Sequence, residues 1–233
     1  MPTPTFHFMG TSHLCVLLLT ALLAAGMIAL ARTGRGGALL IIERVLALVL
    51  LLEWPANVLL SSYTEMDQTG LILPGHLCDL ASIIGGIAML TRNPLLCELL
   101  YFWGLAGTMQ GLLTPALQVD FPHVRFFMFF AVHVGVVVAA LYVVFGVRVI
   151  PRSGAVLRAT GLLAVYGLVA GIANALLGTN YGFLCEKPFA GSMADYLGPW
   201  PWYIGSMGLA ALVFFTLLDI PFWKGRHKAL NAG

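Results

Sequence analysis

The sequence predicts an all-α, polytopic membrane helix bundle of about seven transmembrane helices, with its N-terminus outside and its C-terminus inside. Three observations predict it. Of 233 residues, 60% are hydrophobic and only 9% charged, where a water-soluble domain runs nearer half and a quarter. Seven apolar runs of 17 to 24 residues follow one another, each the length a helix needs to cross a bilayer with some tilt. Basic residues collect in alternate connections between the runs. The same balance excludes a soluble fold, a disordered chain and a disulfide-stapled secreted module. A net charge of +2 with no basic stripe predicts no nucleic-acid partner. No composition break or internal repeat interrupts the chain, so residues 1–233 read as a single integral membrane domain.

The first run, Gly10–Ala31, imitates a signal peptide at Ala29-Leu30-Ala31. It lacks a basic n-region and is too long for an h-region, so it is read as a helix. Leu39–Leu60 follows, then Pro74–Leu90, Leu95–Leu113, Val124–Val147, Val156–Leu177 and Trp200–Trp223. The second, third and fourth runs contain charges.

Connections holding Arg32 and Arg35, then Arg92, then Arg148, Arg152 and Arg158, then Lys224, Arg226 and Lys228 alternate with basic-poor ones. The poor side has Arg125, Lys187 and all five loop acids, Glu65, Asp67, Asp120, Glu186 and Asp195. The positive-inside rule assigns the basic side to the cytoplasm, and the expected location is a bacterial cytoplasmic membrane. Glycine sorts the helices further. Gly85-Gly86 in the third, Gly104, Gly107 and Gly111 in the fourth, and Gly167 and Gly171 in the sixth permit close backbone approach. The first two helices are glycine-poor and are expected at the periphery, with the remaining five around the centre.

Ionisable groups within spans usually face the bundle interior and are the first functional candidates. Glu43 and Arg44 are expected to pair with each other or with loops. Glu98, Arg125 and Asp219 lie near helix ends, where snorkelling suffices. His76, Cys78, Asp79, Gln110, His133 and Asn174 remain, and the topology brings all of them to the outer half. Asn180, Tyr181 and the Gly198–Tyr203 stretch cover the outer mouth. That stretch reads most simply as an interfacial aromatic belt.

Pro74 suits a helix start, so Cys78 falls in the first turn, where free N–H groups and the helix dipole favour a thiolate. His76 lies about 200° around the helix from Cys78 and cannot act as its base. It can instead hydrogen-bond Asp79. A base for Cys78 must come from another helix, and His133, roughly 13 Å down the fifth, is the intramembrane histidine available. A charged Asp79 next door opposes thiolate formation. Other readings stay open: an inert Cys78, a His133 that bonds a neighbouring helix, and a Cys78–Cys185 disulfide. The spacing matches no strong metal motif, and neither metal nor cofactor is expected. Cys15 and Cys97 read as small hydrophobes.

Seven segments occur in order: Leu73–Asp79, Tyr101–Gly104, Leu113–Pro115, Phe121-Pro122, Phe129-Phe130 with His133, Asn180-Tyr181, and Gly198–Tyr203. Together they resemble the YwaF-like bacterial integral membrane proteins and their eukaryotic relatives of the transmembrane protein 164 family, over about Trp54 to Pro221. The family usually has a bulky residue where this chain has Gly75, and the substitution is expected to loosen the helix start. The resemblance implies an acyltransferase that moves fatty acyl groups between membrane phospholipids through a cysteine and a histidine, matched here by Cys78 and His133. His76, Asp79, Gln110, Asn174, Asn180, Tyr181 and Tyr203 are the supporting residues, with Asn174 or Gln110 expected to stabilise the oxyanion. The alternative is a non-enzymatic binder or transporter that uses the same polar cluster. A third reading, an assembly partner docking through the aromatic mouth, predicts no consequence from changing Cys78.

Overall fold

Seven helices stand where the seven apolar runs predict them in the computed structural model, which describes residues 5–34, 36–63, 73–188 and 193–230. Glu65 and Asp67 lie outside these residues. The helices are α1 (Thr11–Thr33), α2 (Gly37–Tyr63) and α3 (Leu77–Thr91). α4 runs from Pro94–Trp103 through a π-helical turn, Gly104–Thr108, to Met109–Leu113. α5 is Val124–Leu141, ending in a π-helical turn at Tyr142–Gly146. α6 (Ala155–Leu177) and α7 (Trp202–Leu230) complete the set. Among the described residues, extended pairing is confined to one bridge between Thr5 and Val119.

The chain runs up and down, so successive connections fall at opposite ends. At one end Ala31 lies against Gly146 and Arg226 reaches the Pro151 carbonyl at 2.9 Å. At the other, Phe6 N–H meets the Gln118 carbonyl at 3.1 Å and Leu73 N–H meets the Tyr181 hydroxyl at 3.0 Å. α1, α5, α6 and α7 are long and apolar enough to cross a membrane. α3 is shorter, at 15 residues or roughly 22 Å. The molecule is a helical membrane bundle.

Core placement departs from the expectation built on glycine. α4 and α5 form the centre, with Tyr101, Phe102, Val136, Ala139 and Val143 buried. Gly104 lets α4 approach Val136 and Ala140. Glycine-poor α2 also packs centrally. Leu50 presses on Gly85 and Gly135, and Leu51 with the Ala47 carbonyl fills the space above Gly86. Close approach needs glycine on one partner only, and here α2 supplies the side chains. α6, expected at the centre, is peripheral. Nothing lies within 4 Å of a Cβ placed at Gly161, Gly167 or Gly171, and Leu168 and Leu176 are 66% and 79% exposed. α7 shows the same pattern at Gly205 and Gly208.

The arginine-bearing end is stitched by ion pairs. Arg92 meets Glu43 at 2.7 Å, and the Tyr142 hydroxyl donates to the same carboxylate. Arg152 and Arg158 close on Glu98 at 2.8 and 2.9 Å, while Arg226 closes on Asp219 at 2.5 Å. Glu43 therefore pairs with the α3–α4 connection rather than with Arg44. Glu98 is 2% exposed and Asp219 is buried too, so neither snorkels. A buried carboxylate at this depth is stable only with its counter-charge in place.

Candidate functional site

At the opposite end, α3 starts later than the sequence suggests. Pro74 and Gly75 precede the helix, and His76 is its N-cap with extended backbone. The His76 N–H donates to Asp79 Oδ2 at 3.0 Å, so the partner of Asp79 is the backbone of His76, not its ring. Cys78 is the second helical residue. Its thiol faces Asp79 Oδ1 at 3.7 Å, and the N–H groups of Cys78 and Asp79 lie within reach of the sulfur. The thiol is free and half-buried. Cys185 is also free, so no disulfide joins the two.

α2 brings a residue that sequence reasoning left unassigned. The Ser82 hydroxyl donates to the Leu50 carbonyl at 2.5 Å, fixing the antiparallel register of α2 and α3. Three residues on, Glu53 comes level with Asp79, three residues back. Electrostatic interaction with both Asp79 and Cys78 follows from that placement. Glu53 is 8% exposed. The Asn57 amide donates to its Oε1, while its Oε2 is buried without a partner.

His133 lies on the third turn of α5, buried and stacked on Phe129 at 4.1 Å between ring centroids. Its Nδ1 meets the Phe129 carbonyl at 2.6 Å. A carbonyl can only accept, so Nδ1 carries the proton and Nε2 keeps its lone pair. Gly111 of α4 makes room for that nitrogen, because a Cβ there would overlap Nε2 and Cδ2 of the ring. One turn along the same helix, a Cβ at Gly107 would sit 2.9 Å from Leu77. The two glycines thus receive the imidazole and the neighbour of Cys78 on consecutive turns. Cys78 and His133 are not hydrogen-bonded to each other, since the thiol addresses Asp79 and the ring addresses Phe129.

The remaining predicted residues divide differently. Asn174 is engaged in the loop after α6. Its oxygen accepts from Tyr181 N–H at 2.7 Å and the Thr179 hydroxyl at 2.8 Å, and its amide donates to the Tyr181 carbonyl at 3.0 Å. That bond uses one of the two amide hydrogens. Asn180 bonds Cys185 N–H and the Glu186 carbonyl and holds the loop. Tyr181 is laid over the start of α3, its ring occupying the space a side chain at Gly75 would take. The small residue admits an aromatic cover over the helix start. His76 sits between Tyr181 and Phe183, each 5.5 Å away. Tyr203 is buried and bonds the Phe183 carbonyl, while Trp200 and Trp202 are exposed as a belt requires. Gln110 is half-buried beside Gly111.

His13 is a second histidine at this end that the sequence reading passed over. It accepts from Met9 N–H at 3.2 Å and meets the Leu112 carbonyl at 2.9 Å, so both nitrogens are occupied and its role is structural. Among the described residues, no group of three or more His, Cys, Asp and Glu is placed to hold a metal ion.

Fold and site together define a multi-pass helical membrane protein with a polar cluster at one end of the bundle. The chain belongs to the TMEM164 family, whose model matches residues 8–219. That match takes in α1, although the sequence resemblance was expected to begin near Trp54. The chain is 29% identical over 161 residues to an uncharacterised protein of Treponema pallidum (strain Nichols). The aligned part is 66% of this chain and 64% of the relative, slightly less than two thirds of its length. No solved structure matches.

Proposed function

We propose that the protein is a membrane-embedded acyltransferase acting on phospholipid acyl chains, with Cys78 as nucleophile and His133 as general base. The observation that carries this reading is the glycine pair of α4. Gly107 and Gly111 accommodate Leu77 and His133 on consecutive turns, so an imidazole with a free Nε2 lone pair and the residue beside the first-turn thiol pack against α4 one turn apart. Nε2 takes the thiol proton as sulfur attacks the ester carbonyl carbon. The carbon–oxygen bond then breaks, and the leaving lysolipid oxygen receives that proton, giving a thioester and a lysolipid. Attack by an acceptor hydroxyl reverses the sequence and frees the thiol. Positive-inside charge puts this end outward in a bacterial cytoplasmic membrane, where lipid of the outer leaflet has lateral access.

The test is acyl label. Wild-type protein incubated with radiolabelled phospholipid should acquire label that neutral hydroxylamine removes. Cys78→Ala should acquire none, and His133→Ala should acquire it on the order of a hundredfold more slowly. Label persisting in Cys78→Ala would remove this cysteine from the mechanism. A second reading, a non-enzymatic binder of a small ligand, is favoured by the separate hydrogen bonds of the thiol and the imidazole. Failure of every lipid donor would select it.

A further inference from the structure

An acyl transfer needs a hydrogen-bond donor for the negative charge that develops on the acyl oxygen. Asn174, one of the two residues expected for that task beside Gln110, has its oxygen and one N–H engaged in the loop after α6. The end of the bundle that holds Cys78 contains another polar atom with no task, Glu53 Oε2.

Three features bear on its state. The side chain is 8% exposed and, among the described residues, no arginine or lysine pairs with it or with Asp79. An unpaired charge in so buried a place is far costlier than the neutral acid. A second carboxyl, Asp79, lies level with it across the register set by Leu50 and Ser82; His76 interacts with Asp79 and not with Glu53, and two neighbouring carboxyls do not both ionise readily. Asn57 donates to Oε1, so Oε1 is the accepting oxygen and Oε2 is where a proton belongs.

Resting on the acyltransfer reading above, we infer that Glu53 is a neutral carboxylic acid whose Oε2–H donates to the oxygen of the acyl carbonyl whose carbon Cys78 attacks. The bond forms as the tetrahedral intermediate appears and is released when the carbon–oxygen bond breaks. The proton stays on Glu53, so the transfer of the thiol proton through His133 is unchanged. A neutral donor fits a site beside Asp79, because it stabilises negative charge without requiring a buried cation. The Cys78 N–H, which lies within reach of the sulfur, is its natural partner.

Two measurements test this. The first is infrared spectroscopy of the purified protein in lipid at neutral pH, comparing wild type with Glu53→Gln. A protonated-carboxyl carbonyl band should be present in wild type and lost in the variant. Its absence from wild type overturns the inference whatever the label shows. The second is the rate of thioester formation from labelled phospholipid. Glu53→Gln places an amide N–H where Oε2–H stood and should stay within a few fold of wild type. Glu53→Ala should fall about 10²–10³-fold, with alkylation of Cys78 by a permeant maleimide unchanged as the control for folding. Equal losses in the Gln and Ala variants would contradict a donor role, because the carboxyl would then act as a base or a charge. Wild-type protein that shows the band but never takes label would sink the acyltransfer reading and leave the protonated Glu53 standing.

Discussion

The two ends of the bundle handle buried charge in opposite ways. At the arginine-bearing end Glu43, Glu98 and Asp219 each have a guanidinium at 2.5–2.9 Å; the first two pairings tie the α3–α4 and α5–α6 connections to neighbouring helices, and the third, within α7, orients Arg226 toward the Pro151 carbonyl. At the other end Glu53 and Asp79 lie level across α2 and α3 with no cation paired to either among the described residues. The second end is held by neutral contacts: the Asn174 network, the Tyr181 ring over Gly75, and the imidazole over Gly111. Ion pairs fix structure but leave no group available for chemistry. A carboxyl without a counter-ion keeps a donor or acceptor free, and the thiol with its candidate base stands at that end.

The largest effect should come from breaking the first arrangement. Removing both guanidiniums in Arg152→Ala/Arg158→Ala leaves Glu98 buried and uncompensated. This should cost about 3–5 kcal/mol, read as a fall in Tm of the protein in nanodiscs. A loss below about 1 kcal/mol would mean that Glu98 is not held by this pair.

Overpacking the second end should come next. Gly111→Ala drives a methyl into the His133 ring and should cost about 1–3 kcal/mol, with Cys78 acylation falling as far as in His133→Ala. The matched change Gly167→Ala meets nothing. It should leave stability unchanged or raise it by up to about 1 kcal/mol, so a similar loss at both glycines would contradict the assignment of α6 to the lipid face.

The smallest effect should come from Asp79→Asn. The amide oxygen can still accept from His76 N–H, and no ion pair is broken. Stability should move by less than about 1 kcal/mol, measured in the same melting experiment. A loss comparable to that of the arginine variant would show that a cation does hold this end.

Much of this contrast is legible in the chain and part is not. Helix positions follow from apolar run length, which backbone hydrogen bonding in lipid enforces without reference to neighbours. The gathering of His76, Cys78, Asp79, Gln110 and His133 at one end follows from up-and-down alternation alone. Packing partners do not. Gly167 and Gly171 look like Gly107 and Gly111 in sequence, yet only the second pair meets a neighbour. Glu43 is adjacent to Arg44 in the chain, but the α3–α4 turn brings Arg92 to it instead. Asn174 shows no partner in the sequence, and the loop after α6 folds back to engage its oxygen and one N–H. Glu53 gives no such signal in the chain, because its level with Asp79 depends on the register that the Ser82–Leu50 bond sets.

The most direct test of a joint Cys78–His133 site is a cross-link. With Cys15, Cys97 and Cys185 replaced by Ala and His133 by Cys, a short bifunctional thiol reagent should join α3 to α5 in membranes, seen by mass spectrometry as one linked peptide pair containing residues 78 and 133. Recovery of that pair is the predicted result. Two thiols that each react singly but never link would place Cys78 and His133 in separate environments and contradict the account.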